Sequence, residues 1–102
     1  MDAGPFSIVQ FEPGPRYEQG RSPREQASWD EHAAFIDDLA ARGRIFLAGP
    51  FADWTGALLI VRGEVAEVTA TFMADPFVTG GVFGPPRVRP WLLWVDERVA
   101  SG

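Results

Sequence analysis

His32 is the single histidine of the chain and cysteine is absent, so the side chains able to move a proton near neutral pH reduce to one imidazole and nearby carboxylates. On a helical wheel His32 lies roughly 50° from the centre of an apolar stripe made by Trp29, Ala33, Ile36, Leu39 and Ala40. It therefore points towards whatever that stripe packs on, not into open water. Asp75 stands on the shoulder of a second stripe, set by Val68 and Phe72, at the end of a second helical segment. Two such helices lying antiparallel on one sheet face would bring the end of the shorter to the middle of the longer, and imidazole to carboxylate. A carboxylate bonded to imidazole fixes its tautomer and raises its basicity, and a helix C-terminus beside the ring adds to that. His32 would then serve as general base or acid on substrate or water, with Asp75 as its orienter. Proton abstraction, elimination, isomerisation and hydrolysis all fit this equipment. The alternative, in which His32 is a satisfied half-buried polar residue and Asp75 only caps or ends its helix, is open at this point.

Trp29, Phe51, Trp54, Phe77 and Trp91 supply enough aromatic surface to line a pocket for a flat ring. An arginine from the turn-rich segments, Arg16 foremost and Arg21 or Arg87 behind it, could hold an acidic group of such a substrate. Against this, aromatics are the bulk of any small core, and loop arginines are commonly solvated. One histidine and no cysteine leave only Glu31, Asp37 or Asp38 to complete a metal site, and these read as solvated charges on an exposed helix face. No metal is expected. No glycine-rich phosphate loop follows a strand and opens a helix, so no nucleotide or flavin cofactor is expected either.

The elements that must position these residues follow from periodicity. Phe6–Phe11 reads as a first strand, followed by a turn-rich loop over residues 12–22 that offers little to bury and is expected to be mobile at the pocket's edge. Residues 24–42 hold no Pro or Gly and read as a helix, with Ser22 as N-cap, Pro23 as first helical residue and Gly43 as stop. Residues 44–51 and 57–62 read as two strands joined at hairpin distance. Residues 64–74 read as a second helix, which Asp75-Pro76 forces to end. Residues 80–86 read as a loop or bulged approach to a last strand over residues 88–95. The order is βαββαβ, a ferredoxin-like α+β layout with a four-stranded antiparallel sheet and both helices on one face.

With 102 residues and 46% hydrophobic content, the chain fits one domain over residues 1–102, able to bury roughly two thirds of its unfolded surface. The net charge of -5 repels a polyanion, so neither nucleic acid nor an anionic membrane is an expected partner. All of its bases are arginine, with Ala, Gly and Pro abundant, a bias that points to a GC-rich bacterial genome. Residues 1–5 lack the basic stretch and apolar run of a signal peptide, and no run approaches a membrane span, so a cytoplasmic location is the default.

In Ile45-Phe46-Leu47, Leu58-Leu59-Ile60-Val61 and Trp91-Leu92-Leu93-Trp94-Val95, successive residues are apolar. Since neighbours in a strand point to opposite faces, both faces of the sheet ask to be dry. The chain has no further segment to cover the second face. A second copy packed sheet on sheet about a two-fold axis would do so, and a homodimer through these faces is expected.

The helical Trp29-Asp30-Glu31-His32, the Gly43 followed by Ile45 to Pro50, the Asp75-Pro76-Phe77 with Gly80 and Gly81 behind it, and the late Arg89-Pro90-Trp91 resemble, in order and spacing, the YCII-related family of small dimeric α+β barrel proteins. The resemblance runs from the first strand to the last. It implies the ferredoxin-like fold, a barrel made by two facing sheets and a pocket holding a His-Asp pair. Two functions follow as expectations. One is a small cofactor-free enzyme of aromatic or lactone-like metabolites using His32 and Asp75; the other is a non-catalytic dimer that binds a small ligand or accompanies a larger enzyme. A monooxygenase of the same fold, degrading haem or oxidising a quinol, would need a haem-placed histidine or a polar cluster that the sequence does not offer. Fold alone does not choose among them.

Overall fold

The computed structural model describes residues 5–96. Four antiparallel strands, β1 (Phe6–Phe11), β2 (Ile45–Pro50), β3 (Ala57–Arg62) and β4 (Arg87–Trp91), form one sheet in the order β2-β3-β1-β4. Apolar β1 and β3 take the centre, paired from Phe6↔Arg62 to Phe11↔Ala57. β4, interrupted by Pro90 and carrying Arg87 and Arg89, takes an edge, where a missing N–H and charged side chains are tolerated. The helices are α1 (Trp29–Ala41), α2 (Val65–Phe72) and the single-turn α3 (Pro76–Thr79), with a 3₁₀ turn at Pro23–Glu25. Leu39, Val68, Phe72 and Phe77 from the helices meet Val9, Phe11, Ala57, Leu59 and Val61 from one sheet face in a single core. The α+β layout with its helices on one face is thus the one expected, with a third short helix added.

Four expectations need correcting. The first helix does not run on from Pro23. Gln26 ends the 3₁₀ turn with extended backbone (ψ 157), and Ser28 reverses the chain at φ 67 before α1 begins. Asp75 does not end α2. It is the N-cap of α3, with extended backbone (φ -60, ψ 128), and Pro76 is the first helical residue, where its ring and absent N–H suit a helix start. The last strand stops at Trp91 instead of Val95. Its partner β1 begins at Phe6, opposite Trp91, and Pro5 beyond it has no N–H to continue the ladder. The loop over residues 12–22 does have something to bury. Tyr17 is buried and donates its hydroxyl to the Arg21 carbonyl (2.8 Å), while Gly14 and Arg16 donate their N–H groups to the carbonyls of Val82 and Gly81.

The helix-free face carries Phe6, Ile8, Phe46, Leu47, Leu58, Ile60 and Trp91, by strand parity and register. Leu47 is 61% exposed there, and Arg62 lies over the rings of Phe6 and Phe46. Beyond β4, Leu92, Trp94 and Val95 are exposed as well. Among the described residues no helix is long and apolar enough to cross a membrane.

Candidate active site

α1 begins with Trp29, and its first backbone bond from His32 N–H to the Ser28 carbonyl (2.9 Å) fixes the imidazole on the first turn. α3 lies against that turn. His32 Nδ1 sits 2.8 Å from Asp75 Oδ1, which also accepts the Phe77 N–H at 2.9 Å. Asp75 is fully buried, whereas the His32 side chain is 13% exposed. The carboxylate is therefore held by two donors, one from its own helix start and one from the imidazole, and the positive end of α3 favours its charge. Asp75 Oδ2 is buried without a hydrogen-bond partner among the described residues.

An ionised Oδ1 can only accept, so Nδ1 carries the hydrogen and Nε2 is the basic nitrogen left to act. The ring is locked from behind. Phe77 stacks on it with centroids 3.9 Å apart and planes 3° from parallel, and Phe83 meets it edge-on at 5.9 Å. Phe83 is itself placed by its N–H to the Phe77 carbonyl and by stacking on Phe11.

His32 opens onto a cavity of about 550 Å³ between α1, the 3₁₀ turn and the β2–β3 end of the sheet. Its wall is largely apolar, with Phe11, Trp29, Ile36, Trp54, Leu59 and Phe83, and its polar side chains besides His32 are Ser22 and Arg24. Such a mostly apolar recess with a few convergent polar groups is the usual form of a small-molecule site. Both non-glycine residues with positive φ among the described residues border it: Trp54 (φ 61) lines it and Ser28 (φ 67) precedes Trp29. Left-handed backbone costs a side-chain-bearing residue roughly 1–2 kcal/mol, and such conformations gather at functional sites.

The sequence profile of the YCII-related domain matches residues 13–92, most of the chain, His32 and Asp75 included. The chain belongs to the YCII-related family. Comparison with the curated proteins finds no match. Among solved structures, this YCII domain is similar to the 5-chloro-2-hydroxyhydroquinone dehydrochlorinase (TftG) of Burkholderia phenoliruptrix AC1100, solved in complex with 2,5-dihydroxybenzoquinone. The two share 24% identity over 84% of this chain and 93% of that one, with a TM-score of 0.56. At that identity the likeness establishes the shared fold.

Of the other residues read as substrate contacts, the structure brings Trp29 and Trp54 to the cavity wall. Phe77 lies behind the imidazole, fully buried. Phe51 is half-buried at the β2–β3 turn, outside the lining, and Trp91 is on the opposite, helix-free face. The Arg16 stem lies against Gly81, Arg87 pairs with Glu12 (2.9 Å) and Arg21 with Glu18 (3.4 Å). The sequence reading passed over Phe83 and Arg24. Both owe their place to irregular segments, the chain after α3 and the 3₁₀ turn, where periodicity carries no signal. Among the described residues no three His, Asp or Glu side chains gather as a metal site would require.

Proposed function

We propose that this YCII domain is a small cofactor-free enzyme in which His32, oriented by Asp75, moves a proton on a small ring-shaped metabolite, in an elimination, isomerisation or hydrolysis. The observation that carries the reading is the 2.8 Å contact between a fully buried carboxylate and an imidazole at the wall of an aromatic-lined cavity. Nε2 takes the proton from a carbon or water beside it, Asp75 stabilises the imidazolium that forms, and the same nitrogen returns the proton to a leaving group or product. The structural neighbour's stated reaction, a dehydrochlorination of a hydroxylated ring, is of the class this pair would serve. The protein is further proposed to act as a homodimer through its helix-free sheet face.

The test is solvent-deuterium exchange into 2,5-dihydroxybenzoquinone and a panel of ring lactones and phenols, followed by NMR. The wild-type protein is expected to accelerate exchange or turnover of at least one compound, and His32→Ala to lower that rate by about 10²–10⁴. An equal rate in His32→Ala would remove the catalytic reading and leave a binding module.

A further inference from the structure

In a chain of net charge -5, the cavity wall holds no carboxylate among its described residues; its charged side chain is Arg24. Both arginines of the 12–22 loop are engaged, Arg21 with Glu18 and Arg16 along Gly81, whereas Arg24 of the 3₁₀ turn forms no ion pair among the described residues. Its guanidinium instead lies 6.0 Å from the Trp29 ring centroid, over one wall of the cavity. An arginine laid on an aromatic face is pre-oriented, with its planar fork of donors free for a second partner. The 3₁₀ turn that carries it is held in place by Gln26, whose side chain bonds Glu18 N–H and the carbonyls of Glu18, Arg21 and Ser22. The backbone under Arg24 is therefore held by the partly buried contacts of Gln26, while the Arg24 side chain itself is exposed at the cavity rim.

We infer that the ligand of this cavity is a planar ring bearing one negatively charged oxygen group, a carboxylate or an ionised phenol, with the ring among Trp29, Ile36, Trp54 and Phe83 and the anion on Arg24. The inference rests on reading the cavity as the substrate pocket. It narrows the metabolite class to ring acids, and it makes Arg24 a specificity-determining residue. The chemistry is consistent within the site: an anion held by the guanidinium orients the ring, so that one of its edges is offered to His32. A neutral ring would gain the same apolar contacts but no orientation.

The test uses the full chain and follows tryptophan fluorescence and calorimetric titration with benzoate, with 4-nitrophenolate above its ionisation pH, with the neutral counterparts benzamide and nitrobenzene, and with octanoate as an anion without a ring. Benzoate or 4-nitrophenolate is expected to bind at least about tenfold tighter than its neutral counterpart and than octanoate. The preferred anion of the two identifies the oxygen group. Arg24→Gln should remove that preference while leaving the neutral compounds unchanged, and Arg21→Gln should alter nothing. Equal binding of charged and neutral rings, equal binding of octanoate, no binding of either ring anion at millimolar concentration, or an Arg24→Gln protein that keeps the preference, would each overturn the inference. His32→Ala is titrated in parallel and should still bind the ring anion. Lost anion preference with an intact effect of His32→Ala on turnover fails the anion inference alone, and the reverse pattern fails the proton-transfer reading alone.

Discussion

Asp75 does two jobs with one oxygen: Oδ1 caps α3 through the Phe77 N–H and orients His32 through Nδ1. The two jobs separate on substitution. In Asp75→Asn the amide oxygen can keep both bonds, and the amide nitrogen replaces an oxygen that had no partner, so the fold should change little while the negative charge that stabilises the imidazolium is lost. Turnover is expected to fall by about 10²–10⁴ with a nearly unchanged melting temperature. Asp75→Ala strands the Phe77 N–H in the core and removes the cap, and should destabilise the protein by about 1–3 kcal/mol in denaturant titrations besides abolishing activity. A melting temperature that drops equally in both variants would show that the charge itself is structural. His32 was legible in the sequence because a lone histidine on an apolar shoulder has few places to point. Trp91 was misplaced for a reason that strand parity contained: with Val88 facing the core, a residue three further on faces away. Phe77 stands one step past a helix cap, and no spacing rule says whether such a ring lines a cavity or backs an imidazole.

At the scale of elements, both central strands were legible to the residue, because β1 and β3 are apolar, β-branched and bounded by turn residues. The segment between β1 and α1 was not, since its order comes from contacts distant in sequence. Gly14 packs so closely on α3's exit that a methyl group there would collide with the Gly81 carbonyl, and Gly14→Ala should loosen the loop from that side. Tyr17 tethers its centre. Burial holds the Tyr17 pKa above its ordinary 10.0, with the Gln26 hydrogen bond opposing and the nearby Glu25 charge adding to the rise. In the pH interval above 10.0 and below the folded value, the native state keeps a proton that the unfolded state has lost, so stability falls as pH rises. The contribution is complete below the unfolded pKa and gone above the folded one. Tyr17 is the only tyrosine, and lysine and cysteine are absent, so little else titrates there. Thermal melts from about pH 8 to about pH 11 should show an alkaline loss in the wild type that Tyr17→Phe lacks, and phenolate absorbance should titrate above the value of free tyrosine. Identical pH profiles for the two proteins would show that the loop is held without its tyrosine.

The whole molecule has one finished side and one unfinished side. Helices, loop and sheet close over a core that hides Phe11, Phe72 and Phe77, whereas the reverse of the same sheet presents Phe46, Leu47, Ile60 and Trp91 around a shallow depression of about 270 Å³ that Leu93 and Val95 also line. Contiguous apolar surface of this kind on a small domain marks an interaction face. The occupant expected is a second copy, because a two-fold axis sets the same apolar patch against itself and leaves both cavities on the outside, next to their own helices. Charge supports this arrangement only at the margin: Arg62, Arg87 and Arg89 line the same face, so each must find a position at the rim or over an aromatic ring, as Arg62 does over Phe6 and Phe46. Light scattering is expected to give twice the 11.2 kDa chain mass at micromolar concentration. Leu47→Glu places a charge in the patch on the face opposite the cavity, one residue from Ala48 of its wall, and should yield monomers whose benzoate titration is unchanged where the cavity is self-sufficient. A wild-type protein that scatters as a monomer would refute the dimer, and a monomeric Leu47→Glu protein with a lost cavity would show that the second copy holds the site together from behind the sheet.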